Sequence, residues 1–153
     1  MYKWLFLLAL PLFAQTPVEP SQLFSVGSGV SGLGPSQLFG YYSISQHIAQ
    51  GTYTTEINEF ARLKGGTVGT CARAGVSKVM WQFGSTIIGV VGDAGACETA
   101  VGSAGGAVSA RCFLSYKFPK NSWHFIVTAE TLKTAGGTNQ PTVTMGIGYG
   151  VYK

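Results

Sequence analysis

The residues able to carry chemistry are few and scattered. The two histidines, His47 and His124, have serines Ser43, Ser45, Ser115 and Ser122 in nearby stretches of sequence. A serine nucleophile needs a histidine base within hydrogen-bond reach and an acid, such as Glu56 or Glu130, to orient that base. No local motif arranges these residues so. His124 and Glu130 share a face of one alternating run, but six strand residues span about 20 Å. The expectation is therefore no catalytic residue, with both histidines serving as polar side chains near a rim. Gly27-Ser-Gly29-Val-Ser-Gly32 fits the spacing of a dinucleotide loop, yet no helix opens after it and Gly34-Pro35 intervenes. A hairpin loop is the better reading, and no cofactor is implied. Cys71, Cys97 and Cys112 lack a CxxC spacing or a nearby histidine, so no metal site is expected. One pair could form a disulfide in an oxidising compartment; the spacing does not say which.

The composition sets the surroundings. Of 153 residues only 10% are charged, against about a quarter in soluble domains. Mean hydropathy is +0.25, with 22 glycines and 12% aromatics. So little charge would leave a water-soluble domain with large bare apolar patches. Beyond the N-terminus no stretch approaches the ~18 consecutive apolar residues of a membrane helix. An apolar chain without such a helix points to a closed barrel, which pairs every backbone group without water.

Residues 1–14 read as a secretory signal peptide: Lys3, an apolar run Trp4–Phe13, and a cleavage point fitting Ala14–Gln15. Residues 15–21 form a short N-terminal segment, and 22–153 the barrel domain. Without Lys3 nine basic residues face six acidic ones, too weak and dispersed a balance for nucleic acid.

Eight runs of period-2 alternation follow, near Gln22–Val30, Gln37–Ala49, Thr52–Leu63, Val68–Phe83, Thr86–Thr99, Ala107–Phe118, Trp123–Thr134 and Pro141–Lys153. Gly, Pro, Asn and Ser punctuate them. Val143, Met145, Ile147, Tyr149 and Val151 share one face; Thr144, Gly146, Gly148 and Gly150 share the other. The polar faces hold mostly Gly, Ser and Thr, a poor solvent coat but a good filling for a narrow lumen. By the same alternation Arg73, Asp93, Arg111, Lys117 and Glu130 point inward, joined by Glu56 and Arg62. Buried charges persist when paired, so an internal salt-bridge network is expected rather than an ion path. Glu59 falls on the outer face and fits poorly. The run Val68–Phe83 breaks register, and a bulge near Ser77–Lys78 would turn both residues inward. Aromatics gather at one end of the strands: Trp81, Phe83, Phe118, Trp123 and Tyr149, with Phe24, Tyr53, Phe125 and Tyr152. They read as an interfacial girdle.

These residues resemble the small eight-stranded outer-membrane barrels of Gram-negative bacteria. Thr144-x-Gly146-x-x-Tyr149-x-Val151 is similar to the C-terminal signal that such proteins present to the barrel-assembly machinery. The family commonly ends on an aromatic, whereas here Tyr152 precedes Lys153. The resemblance implies an all-β, antiparallel up-and-down transmembrane barrel with a side-chain-filled lumen, exported by a Sec-type route to the outer membrane. Lipid and the assembly machinery are the implied partners, in a structural or surface-interaction role without evident catalysis. A secreted lipocalin-like carrier would reverse the faces and bind an apolar ligand inside. A third reading, a lipid-modifying enzyme, needs a serine and a histidine that meet.

Overall fold

The computed structural model describes residues 20–31, 37–47, 54–62, 68–98, 104–135 and 139–152. The signal segment 1–14 lies outside them, as do Tyr53 and most of the connections at one end. Eight strands follow in chain order: β1 Gln22–Ser31, β2 Gln37–His47, β3 Thr54–Arg62, β4 Val68–Phe83, β5 Thr86–Glu98, β6 Ala104–Lys117, β7 Trp123–Thr134 and β8 Gln140–Val151. Each pairs antiparallel with its neighbour, and β1 pairs with β8, so the sheet closes on itself. The shortest strand has nine residues, enough to cross a hydrocarbon layer when tilted. The observed strands overlap all eight alternating runs; β6 begins three residues before the expected Ala107.

Burial in this barrel is inside out. Nineteen large apolar or aromatic side chains are exposed among the described residues, Val26 at 61% and Met145 at 55% among them. Val143, Ile147 and Phe125 are in that outer set. The buried positions are mainly Ser25, Ser43, Ser45, Arg73, Ser77, Asp93, Ser109, His124 and Thr144. A carrier with an apolar pocket would show the reverse. The outer wall instead demands an apolar medium.

Glycine makes the narrow interior possible at a few positions. A Cβ on Gly89 would meet Phe113 Cζ at 2.5 Å, and one on Gly27 would meet Tyr41 Cε1 at 2.8 Å. Both rings therefore occupy space that a side chain on the neighbouring strand would otherwise fill. Gly84, at φ +56°, makes the two-residue turn between Phe83 and Thr86, where an L side chain would be strained.

The register break in β4 lies at Met80, not at Ser77–Lys78 as the sequence suggests. Val79 pairs with Gly89 and Trp81 with Ile88, leaving Met80 as the extra residue. Met80 and Trp81 both face outward; Ser77 is buried but Lys78 is exposed. A lysine stem can lie along an apolar wall with its ammonium reaching toward a headgroup layer, so polarity misplaced the bulge by about one turn of the pleat. Its consequence is large. Without it Cys71 would oppose Glu98, and Arg73 would share the outward face of Trp81.

Two outcomes follow. Deleting Met80 should keep both the Cys71–Cys97 bond and the folded fraction seen by heat-modifiable gel migration, because Val79 and Trp81 then continue one unbroken register, whereas deleting Val79 together with Met80 should collapse that fraction. A Met80 deletion variant that loses its Cys71–Cys97 bond would contradict this role for the bulge. Gly89→Val should lower unfolding stability in urea by about 1–3 kcal/mol through overpacking against Phe113; an unchanged midpoint would contradict it.

Candidate functional site

Among the described residues, two polar clusters that draw on several strands lie at different depths of the interior. The first draws on four strands. Arg73 on β4 has its Nη1 donating to Ser109 Oγ at 2.8 Å and to Glu130 Oε1, and lying 3.4 Å from Asp93 Oδ1. Ser109 donates to Asp93 Oδ1 at 2.6 Å, and Arg111 Nη2 to Asp93 Oδ2 at 2.7 Å. Two guanidinium groups thus meet two carboxylates. The Arg73 side chain is 0% exposed and that of Asp93 is 1%. At that burial, mutual pairing is what makes the ions tolerable. The backbone register sets Glu56 of β3 opposite Arg73; the side chains of Glu56, Glu59, Arg62 and His47 lie outside what is described.

Above this cluster, toward the ends of β4 and β5 remote from their turn, Cys71 and Cys97 stand opposite each other and are bonded. They pack with Ala107 and the partly buried Leu132. Cys112 is free and exposed on the outer wall. Among the described residues no group of histidine, cysteine or carboxylate side chains could hold a metal ion.

The second cluster lies at the aromatic-rich end. Ser115 Oγ is 3.0 Å from His124 Nδ1, and His124 Nε2 is 2.6 Å from the Tyr152 hydroxyl. Lys117, expected within the charged network, stands here instead, its Nζ 5.6 Å from the Tyr152 ring centroid. It is inward by alternation but too far down the strand to reach Asp93, which is why face alone misassigned its company. Burial pushes the Tyr152 phenol above its ordinary range, so it stays a neutral hydroxyl able to donate to Nε2. The ring's Nδ1–H would then donate to Ser115. Sequence reasoning left Ser115 and His124 apart. The β6–β7 register sets Lys117 opposite His124, which makes Ser115 a diagonal neighbour on one face.

The end of β8 is also held by backbone bonds beside this cluster. Ser21 N donates to Val151 O at 2.7 Å and Gly150 N to Ser122 O at 2.8 Å. Of the expected assembly-signal residues, Thr144 is buried and bonded to Thr128, Gly146 is on the inner face under Tyr41, and Tyr149 and Val151 are exposed outside. Trp81, Phe83, Phe118, Trp123 and Tyr149 are all exposed, at the same end of their strands, and Trp123 meets Tyr149 edge-on at 5.3 Å.

Arg73→Ala would leave Asp93 and Glu130 short of a cation in a dry interior. It should cost about 3–5 kcal/mol of unfolding stability, while Arg73→Met combined with Glu130→Leu, which leaves Asp93 paired with Arg111, should cost less. Equal losses for the single and double variants would contradict the pairing.

No protein-family profile matches the sequence, and no curated protein matches it. Among solved structures the fold is similar to a de novo designed transmembrane β-barrel, at TM-score 0.62 and 14% identity over 87% of this chain and 98% of that one. It is also similar to Neisserial surface protein A (NspA), at TM-score 0.59 and 9% identity over 86% of this chain and 96% of that one. Such identities speak to architecture alone. With its apolar outer wall, polar plugged lumen and closed eight-strand sheet, this chain has the fold of the small transmembrane β-barrels of the outer-membrane type.

Proposed function

We propose that the protein is an outer-membrane barrel with a structural or surface-interaction role, its lumen sealed by its own side chains. The observation that carries this reading is the inside-out burial. Large apolar residues cover the outside, while Arg73, Asp93 and their partners fill the centre. Eight strands enclose a space just wide enough for side chains. The lumen serves as a rigid strut rather than a path for solutes.

Localisation follows from several supports. Residues 1–14 have the composition of a Sec-type signal peptide. The exposed aromatics at one end suit headgroup depth on the periplasmic side, where even-stranded barrels place both termini. Outer-membrane lipid is then the partner of the wall. The barrel-assembly machinery would read Thr144, Gly146, Tyr149 and Val151, which lie on β8 at the closing seam. Any protein partner would meet the ends of the strands opposite the girdle.

A second reading, a lipid-modifying hydrolase, draws on the 3.0 Å contact between Ser115 and His124. Against it, the imidazole's other nitrogen is taken by Tyr152 rather than by a carboxylate, and His124 is only 2% exposed. The contact fits a polar lock that holds Tyr152 to the barrel base.

Three experiments separate these readings. Purified protein in planar bilayers should give no unitary currents, and it should leave membranes only with detergent. Recovery from a detergent-free soluble fraction would overturn the membrane assignment, and steady conductance would overturn the sealed lumen. A fluorophosphonate probe should leave the folded protein unlabelled; labelling that disappears in Ser115→Ala would establish the hydrolase.

A further inference from the structure

The Cys71–Cys97 disulfide is buried inside the closed barrel. Cys71 and Cys97 are 3% and 4% exposed and face the lumen. On one side they pack against Ala107 and Leu132. On the other lies the Arg73–Asp93–Ser109–Arg111–Glu130 cluster. With so little of either cysteine exposed, a second thiol compound has almost no surface on which to line up with these sulfurs. Thiol–disulfide exchange requires the attacking sulfur to reach its target.

We infer that the Cys71–Cys97 bond is made by oxidation of the chain before the sheet closes, and that closure then seals it. The two cysteines belong to consecutive strands joined by a two-residue turn, Gly84–Ser85. The hairpin alone can therefore bring them together, with no need for β1 to meet β8. The third cysteine is sorted by the same pleat. Cys112 sits on the outer face of β6, so a hairpin that has its register turns it away from the other two.

The reaction balances as a two-electron oxidation. One thiolate attacks the disulfide of an oxidant, forming a mixed disulfide and releasing one thiolate of that oxidant. The second cysteine thiolate then attacks the protein sulfur of the mixed bond and expels the other. The protein loses two protons and two electrons, and the oxidant leaves as a dithiol. The implied partner is thus a disulfide-class oxidant acting on the unfolded or half-folded chain. That the chain meets it in the periplasm rests on the export reading above; the order of events does not.

The test uses the full mature chain carrying Cys112→Ser, so that only two thiols remain. The oxidised, folded protein is treated with dithiothreitol, and free thiols are counted by maleimide-polymer gel shift after denaturation. Reduction should be slower than for the urea-unfolded chain by roughly a hundred-fold or more, following opening of the barrel. In the reverse direction, the chain is reduced in urea, placed under folding conditions, and then given oxidised dithiothreitol. Bond formation should be slowed to the same degree in any folded fraction, while failure of the reduced chain to fold would equally place oxidation first. Reduction or oxidation of the folded barrel at the unfolded chain's rate would overturn the inference. Because protection is read in whatever medium keeps the chain folded, its loss is distinguishable from failure of the outer-membrane assignment.

Discussion

The pairing of β1 with β8 is the constraint from which the rest follows. Ten register pairs, from Gln22–Val151 to Ser31–Thr142, remove the last open edge of the sheet. In hydrocarbon an unsatisfied backbone group costs several kcal/mol, and no water can relieve it. Closure also fixes a small circumference, so every second residue must share a cramped centre. This is why glycine and serine dominate the inner faces, and why Tyr41 and Phe113 lie over Gly27 and Gly89.

Burial makes charge expensive, yet among the described residues Arg73, Asp93, Arg111 and Glu130 meet in the interior. The arrangement of Asp93 between Arg73 and Arg111, with Glu130 completing the set, satisfies the ions against one another. Such a cluster is not a strong source of stability compared with well-packed apolar residues of the same volume. What it contributes is position. Its members come from β4, β5, β6 and β7, and they meet only in one register. A slip by one residue would move charge onto the lipid wall, at a cost of about 2–4 kcal/mol for arginine near mid-depth. The single extra residue at Met80 sets that register for the distal half of β4, and it does so for the disulfide and Arg73 alike.

Much of this architecture was legible in the sequence, because period 2 is a direct imprint of the pleat. The alternation in Thr142–Val151 and Ala107–Lys117 gives both the strands and their faces, and low charge says which face meets lipid. The inward residues Arg73, Asp93, Arg111 and Glu130 follow from counting. Four things did not follow. The bulge was misplaced because Lys78 is polar, whereas its long aliphatic stem suits an outward position. Lys117 was grouped by face when depth along the strand decides its neighbours. The Cys71–Cys97 pairing and the Ser115–His124 contact depend on cross-strand register, which hairpin turns fix and single-strand patterns do not contain.

On β8, Val143, Met145 and Ile147 face outward and Thr144 and Gly146 face the polar interior, so in a membrane the first set meets acyl chains. A cysteine scan of residues 142–149 in Cys112→Ser protein, with a nitroxide at each site in vesicles, reads this directly. Collision with oxygen, which concentrates in the acyl region, should rise at 143, 145 and 147 and fall at 144 and 146. Accessibility with the opposite phase, or uniform contact with a water-soluble relaxation agent along the strand, would contradict the account.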